Sequence, residues 1–426
     1  MRVGTREFRD LWRHLTLFAG LAVLFLSGAL LHPQFLTIGN QRNVLEQVSI
    51  NGILAVGMTL VILTAGIDLS VGSVLSLCSV VCAMLLMHGS TGEAPGAFSR
   101  AHWLGLLAIG VFAALAAYAA TCRKSYRWRA ATVTAAFLLT TGGVLALTCP
   151  WRHNTPPWAL GTLGVLVVVP LVGAMMGLIN GVIIARTRLQ PFIVTLAMMI
   201  SAVGLAKFVA GHGGQVHSIY MASAGQPGAP PSFAALGEPI LNVGQKTLRS
   251  GRIQDVKLLP IPGLFMLTVW AAAAVLLHKY PLGRYIYAVG GNEEAARLAG
   301  IRVELIKVFV YTVSGLLAGL AAVLFCANYK QGLATAGQMK ELDAIAAVVI
   351  GGTSLMGGRG SILGTLVGIM IFGYLTNILN LRGVSSEVQD VLKGVIIVGA
   401  AILQGGHLLE WLGRMRRARI KLGEPA

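Results

Sequence analysis

The sequence predicts an all-α fold, a polytopic membrane bundle. Hydrophobic residues make up 55% of the 426 positions and charged residues only 12%, against roughly 25% charged in a soluble domain. About twelve apolar segments recur, each near the roughly 20-residue length of a bilayer crossing. Lys and Arg gather in alternate connections between them, the usual sign of cytoplasmic loops.

The first apolar segment, 15–31, follows Arg2, Arg6, Arg9 and Arg13. It lacks an obvious small-residue cleavage site and more spans follow, so it reads as a span rather than a removed signal. The others lie near 48–64, 71–87, 104–120, 131–148, 158–185, 191–210, 262–277, 307–327, 342–357, 361–380 and 388–406. With the N-terminus inside, the inner connections hold Arg123, Lys124, Arg127 and Arg129, then Arg186 and Arg188, then Lys279, Arg284, Arg297 and Arg302. Arg414, Arg416, Arg417, Arg419 and Lys421 close the chain. This predicts both termini cytoplasmic and an even number of spans. The outer loop 211–260 carries Lys246, Arg249, Arg252 and Lys257, but long loops cross with little regard to charge.

The net charge of +17 is therefore a loop asymmetry. No basic soluble module points to nucleic acid. Cys78, Cys82, Cys122, Cys149 and Cys326 form no Cys-x-x-Cys pair, so neither a disulfide framework nor a metal site is indicated, and no cofactor is expected. Gly173, Gly177 and Gly181 recur every fourth residue, as do Gly360, Gly364 and Gly368. Such stripes let helices approach closely, inside a bundle or between two copies. Residues 64–75 weakly resemble residues 351–363, which reads either as a parallel internal repeat or as chance likeness between Gly-rich loops.

Between two apolar segments lies a polar island, the connection 278–306. Asn292 can cap a short helix there, and Glu293 and Glu294 place negative charge at its positive end. Gly300 supplies the stop. So short a helix is marginal alone, and it persists best if something outside the membrane grips it.

Four blocks carry a resemblance. They are Gly66-Ile67-Asp68-Leu69-Ser70-Val71-Gly72-Ser73, Pro191-Phe192-Ile193-Val194-Thr195-Leu196-Ala197-Met198, residues 288–301 around Asn292, and Glu341-Leu342-Asp343-Ala344-Ile345-Ala346-Ala347-Val348-Val349-Ile350-Gly351-Gly352-Thr353-Ser354-Leu355. Together, in this order, they resemble the permease subunits of bacterial ABC importers for monosaccharides, the ribose and xylose permease-like family. The resemblance implies one permease domain over 1–426 with about ten core transmembrane helices in the bacterial inner membrane. Residues 88–157 would then be an inserted hairpin. It also implies a second permease copy or paralogue, a cytoplasmic ABC ATPase, and a periplasmic or lipid-anchored sugar-binding protein. Residues 278–306 would be the cytoplasmic coupling loop, with Asn292, Glu293, Glu294, Ala295, Ala296, Arg297, Leu298 and Gly300 meeting the ATPase.

The alanines would seat the coupling helix closely, Leu298 would offer an apolar knob, and Glu293, Glu294 and Arg297 would form a polar rim. Asp68, with Ser70 beside it, either caps a helix or pairs with a basic group at an inner gate. Asn51, Thr59, Asn180, Thr195, Asn377 and Asn380 are neutral hydrogen-bonding residues suited to a hydroxyl-rich cargo, or else to bonds between helices. Lys246, Arg249, Arg252, Lys330 and Lys340 are read as outer charges able to meet a binding protein.

Other classes fit less well. Gly352–Gly357 lacks the Lys-Ser/Thr ending of a phosphate loop, so ATP hydrolysis belongs to a partner chain. No nucleophile–His–acid set or paired carboxylates suggest an enzyme. Ionisable residues in mid-span look scarce for an ion-coupled transporter. Nucleosides, autoinducer sugars and branched-chain amino acids remain alternative cargoes.

Overall fold

The computed structural model describes residues 4–87, 162–211, 216–221, 229–240, 242–247 and 253–404. Residues 88–157, expected as an inserted hairpin, lie outside the described residues, as do the basic residues Arg123–Arg129, Arg249 and Arg252, and the C-terminal cluster from Arg414. The described chain is a polytopic helical membrane protein. Helix α1 is Gly4–Leu31, α2 Ile38–Leu63, α3 Val71–Met87, α4 Thr162–Thr187 and α5 Pro191–Ala210. A short α6 (Pro231–Gly237) precedes α7 (Ile261–Lys279), α8 (Pro281–Gly291) and α9 (Glu293–Leu298). Then come α10 (Val303–Tyr329), α11 (Lys340–Ile350), α12 (Ile362–Leu381) and α13 (Ser386–Gln404). Among the described residues, α2, α4, α5, α7, α10 and α12 are long and apolar enough to cross a membrane, and α1 and α3 contribute shorter apolar stretches.

The strands are minor. β1 (His217–Ser218) pairs antiparallel with β4 (Gln331–Gly332), and β2 (Asn242–Thr247) with β3 (Ile253–Lys257).

Helix pairs in lipid gain little from hydrophobicity, because the surrounding tails are equally apolar, so close van der Waals contact must hold them. The most extensive crossing, α4 on α10, shows how. A Cβ on Gly173 would stand 2.2 Å from the Gly315 carbonyl, one on Gly177 2.1 Å from the Tyr311 carbonyl, and one on Gly181 2.8 Å from Val308 Cα. The second stripe joins α12 to α11: Gly364 meets Gly351 and Gly368 meets Ala347. Gly360 differs from its stripe-mates because it precedes α12 and touches Thr353 instead. All six glycines thus pack within the chain. Outward faces of α1, α4, α5, α7 and α13 expose large apolar side chains such as Leu26, Leu171, Ile200, Leu267 and Val395, as a lipid-facing surface requires.

Two departures from the sequence reading matter. Helix α2 begins ten residues before the predicted 48, because its polar first turns find partners: Gln41 accepts from the Tyr374 hydroxyl at 3.0 Å, and Asn40 and Asn377 exchange amide bonds at 2.8 and 3.0 Å. The segment predicted over 342–357 is helical only to Ile350. Gly352 takes φ +85°, which a continuing helix forbids. Eleven residues rise only about 16 Å, too little to cross a bilayer.

Candidate functional site: the coupling segment and the polar seams above it

The connection from α7 to α10 folds as two helices. Asn292 is extended between them and its Oδ1 accepts from Ala295 N–H at 3.0 Å, capping α9. At the other end Gly300, at φ +82°, lets its own N–H reach Arg297 O and Ile301 N–H reach Ala296 O. Lys307 of α10 bonds Glu293 at 2.7 Å, and Arg297 joins Glu293 and Glu304, each at 3.2 Å. Glu293 and Arg297 are therefore ion-paired within the chain. Ala296 is buried against the bundle, while Glu294, Ala295 and Leu298 face outward, Leu298 at 83% exposure.

The segment rests on the rest of the chain through backbone. Gly290 lies against the Leu63 carbonyl, and Gly291 against Gly358. Gly358 N–H donates to Leu63 O at 3.0 Å, and the Tyr287 hydroxyl donates to Gly360 O at 3.1 Å. Burial raises the Tyr287 phenol above its ordinary value, which keeps it a donor. The loop 351–361 thus touches the coupling segment, and its Met356 is 84% exposed. Sequence reading missed this second apolar knob; a lone Met between glycines gives no periodic signal.

Above the segment is a cavity of about 310 Å³, bordered by Thr64, Gly66, Asn292, Glu293, Lys307 and Tyr311. Beyond Tyr311 stands a buried polar seam. Asp68 Oδ1 accepts from Ser70 N–H at 3.0 Å and Ser70 Oγ at 2.6 Å, and Oδ2 accepts from Ser314 Oγ at 2.9 Å. Asn180 donates to Ser70 Oγ at 2.9 Å. Thr195 Oγ1 donates to Ile67 O at 3.2 Å. Asp68 fixes the turn that leads into α3 and links it to α10; its bonded partners are hydroxyls and an amide rather than a basic group.

The other predicted residues are separate from this seam. Thr59 and Thr365 share a hydrogen bond at 2.8 Å between α2 and α12. Asn377 pairs with Asn40, and Asn380 accepts from Gln389 at 2.8 Å. Asn51 accepts from Lys340 Nζ at 3.0 Å. Most of these side chains spend their bonding capacity between helices.

Lys340 corrects an expectation. It is not an outer-loop charge: its partner Asn51 is the fourteenth residue of the 26-residue α2. Near it, Lys393 of α13 bonds Asp343 at 3.2 Å and Asp390 at 3.3 Å. Ionisable groups within the bundle are not scarce: Asp68 is held by hydroxyls, Lys340 by an amide, and Asp343 by Lys393. A sequence gives no depth, so Lys340 looked like a loop charge.

A family profile described as "Branched-chain amino acid transport system / permease component" matches residues 130–401. The chain belongs to this permease family. It is 38% identical over 402 residues to the ribose import permease protein RbsC of Escherichia coli K12, covering 94% of this chain and 96% of that one. RbsC of Bacillus subtilis 168 is 36% identical over 397 residues, with 93% and 94% covered. The xylose transport system permease protein XylH of Escherichia coli K12 is 31% identical over 372 residues, with 85% and 84% covered. No solved structure matches. As a member of a permease family, the chain transports rather than transforms its solute, and catalytic residues are not part of its task.

Proposed function

We propose that this permease is the transmembrane subunit of an ATP-driven importer for a monosaccharide of the ribose or xylose kind. The carrying observation is its 38% identity, across nearly its whole length, to a ribose import permease. In this reading both termini are cytoplasmic, the protein sits in a bacterial inner membrane, and two permeases flank the path. An extracytoplasmic binding protein delivers the sugar. A separate ATPase grips α9 through Leu298, Ala295 and Glu294, and the Met356 knob extends that grip. The ion pairs to Lys307 and Glu304 make α9 rigid with α10, so motion at the motor reaches the Asp68–Ser314 seam through one continuous helix.

The test is uptake of labelled ribose into membrane vesicles carrying the permease with its neighbouring ATPase and binding protein. Uptake that needs ATP, resists ionophores and yields to unlabelled ribose or xylose supports the reading. Uptake driven by an ion gradient without ATP overturns it. A branched-chain amino acid is the second reading, favoured by the family description and by the opposite charges of Lys340 and Glu341. Unlabelled leucine in the same assay decides it: competition equal to that of ribose would favour the amino acid.

A further inference from the structure

We infer that the segment from Lys330 to Glu341 descends from the outer side and lines the solute path at mid-membrane, where Gln338, Lys340 and Glu341 form a subsite for the hydroxyls of a neutral polyol. This deepens the sugar-import reading and rests on it.

The descent is written in contacts with α3. Gly332 packs against Ser79 and Ala83, Leu333 N–H donates to Ser79 Oγ at 3.2 Å, and Gly337 N–H donates to Ser76 Oγ at 2.9 Å. Gly337 itself lies on the backbone of Gly72. From Ala83 to Gly72 is roughly 16 Å along a helix. The depth has an independent marker, since the next residue but two, Lys340, bonds Asn51 at the middle of α2. Between Gly332 and Lys340 the chain is not helical.

Irregular backbone survives at such depth only if it is buried in protein or borders water. One side of this segment is buried: Ala334, Ala336 and Gly337. The other is not, for Thr335, Gln338 and Met339 are exposed. Thr335 and Gln338 are poor lipid contacts, so the side they present faces water.

The chemistry suits an uncharged cargo. Lys393 is held between Asp343 and Asp390 and leaves one carboxylate in excess. The Lys340 ammonium gives one proton to Asn51 and has two more to offer, while the Glu341 carboxylate and the Gln338 amide supply acceptors. The segment therefore carries both donors and acceptors with nearly balanced charge, which favours a hydroxyl-rich solute over an ion.

The experiment introduces Thr335→Cys and Gln338→Cys, singly, into the complete importer. A membrane-impermeant methanethiosulfonate ammonium reagent is applied during turnover. Wild type serves as the blank for the native cysteines, and Leu171→Cys and Val395→Cys as lipid-facing controls. The expected result is rapid modification at 335 and 338 that blocks ribose uptake, with the controls unreactive. Lys340→Met is expected to lower uptake by about tenfold or more, the loss of one charged hydrogen bond, and Lys340→Arg to retain most of it. Cysteines at 335 and 338 that stay as unreactive as the controls, in vesicles that still import ribose, would overturn the lining while leaving the function intact. Modification without any effect of Lys340→Met on uptake would overturn the subsite. If wild type imports no ribose yet 335 and 338 react, the lining stands and the sugar reading falls.

Discussion

Thr59 and Thr365 illustrate what a polar pair does inside this bundle. Each hydroxyl also bonds back to its own helix, Thr59 to Ala55 O at 2.7 Å and Thr365 to Ser361 O at 3.4 Å. Two hydroxyls have two protons for these three contacts, so Thr365 donates to Thr59 at the expense of its long bond to Ser361 O; such cross-helix bonds average about 0.6 kcal/mol in membrane helices. A double-mutant cycle with Thr59→Val and Thr365→Val, read by unfolding in detergent, should return a coupling of about that size. Asp68 is a different case. Its carboxylate holds Ser70 and Ser314 through three bonds. Asp68→Ala should destabilise the purified protein by about 2–4 kcal/mol, since hydrogen bonds to a charged group are worth more and the hydroxyls left behind stay buried. Asp68→Asn keeps an acceptor toward Ser70 and should cost clearly less in the same assay. Equal losses would mean that the carboxylate is not what joins α3 to α10.

At the scale of elements, the tight crossings are made by backbone on backbone. Gly177→Val would drive a side chain into the Tyr311 carbonyl, which stands 2.1 Å from the Cβ position. It should abolish the monodisperse peak in size-exclusion chromatography, whereas Gly204→Ala, where the added methyl meets nothing within 4 Å, should leave it unchanged. Long apolar helices were legible from sequence because hydropathy alone decides them: α3 and α5 begin and end where their apolar runs do. The N-cap at Asn292 and the stop at Gly300 were legible because each depends on neighbours within a turn. The half-length α11 was not. Its apolar run continues past Ile350 into Thr353 and Leu355, and only the turn at Gly352 and the contact of Gly364 with Gly351 end it. The descending segment 330–339 was hidden for a related reason. Its depth is set by hydrogen bonds to Ser76 and Ser79, more than 250 positions away.

In the proposed reading the whole molecule combines a rigid transmission with a solute path. Helix α10 runs from the ion-paired coupling segment at Val303, past Ser314 and the Asp68 cluster, to the start of the descending segment at Lys330. On the proposed reading, one helix therefore joins the motor side to the solute path. Leu298 stands clear of the chain's own core, so Leu298→Asp should leave stability within about 0.5 kcal/mol of wild type. In vesicles with the complete importer it should nonetheless suppress ATP-driven ribose uptake strongly. A variant that unfolds would show instead that Leu298 supports the bundle, and one that transports normally would show that the knob is idle.

The most direct measurement is crosslinking from position 298. A Leu298→Cys variant, labelled with a short thiol-directed photocrosslinker in inside-out vesicles, is expected to capture the ATPase subunit, with the yield changing when nucleotide is added. Capture of the extracytoplasmic binding protein, or labelling only from the outer face of sealed cells, would contradict the account.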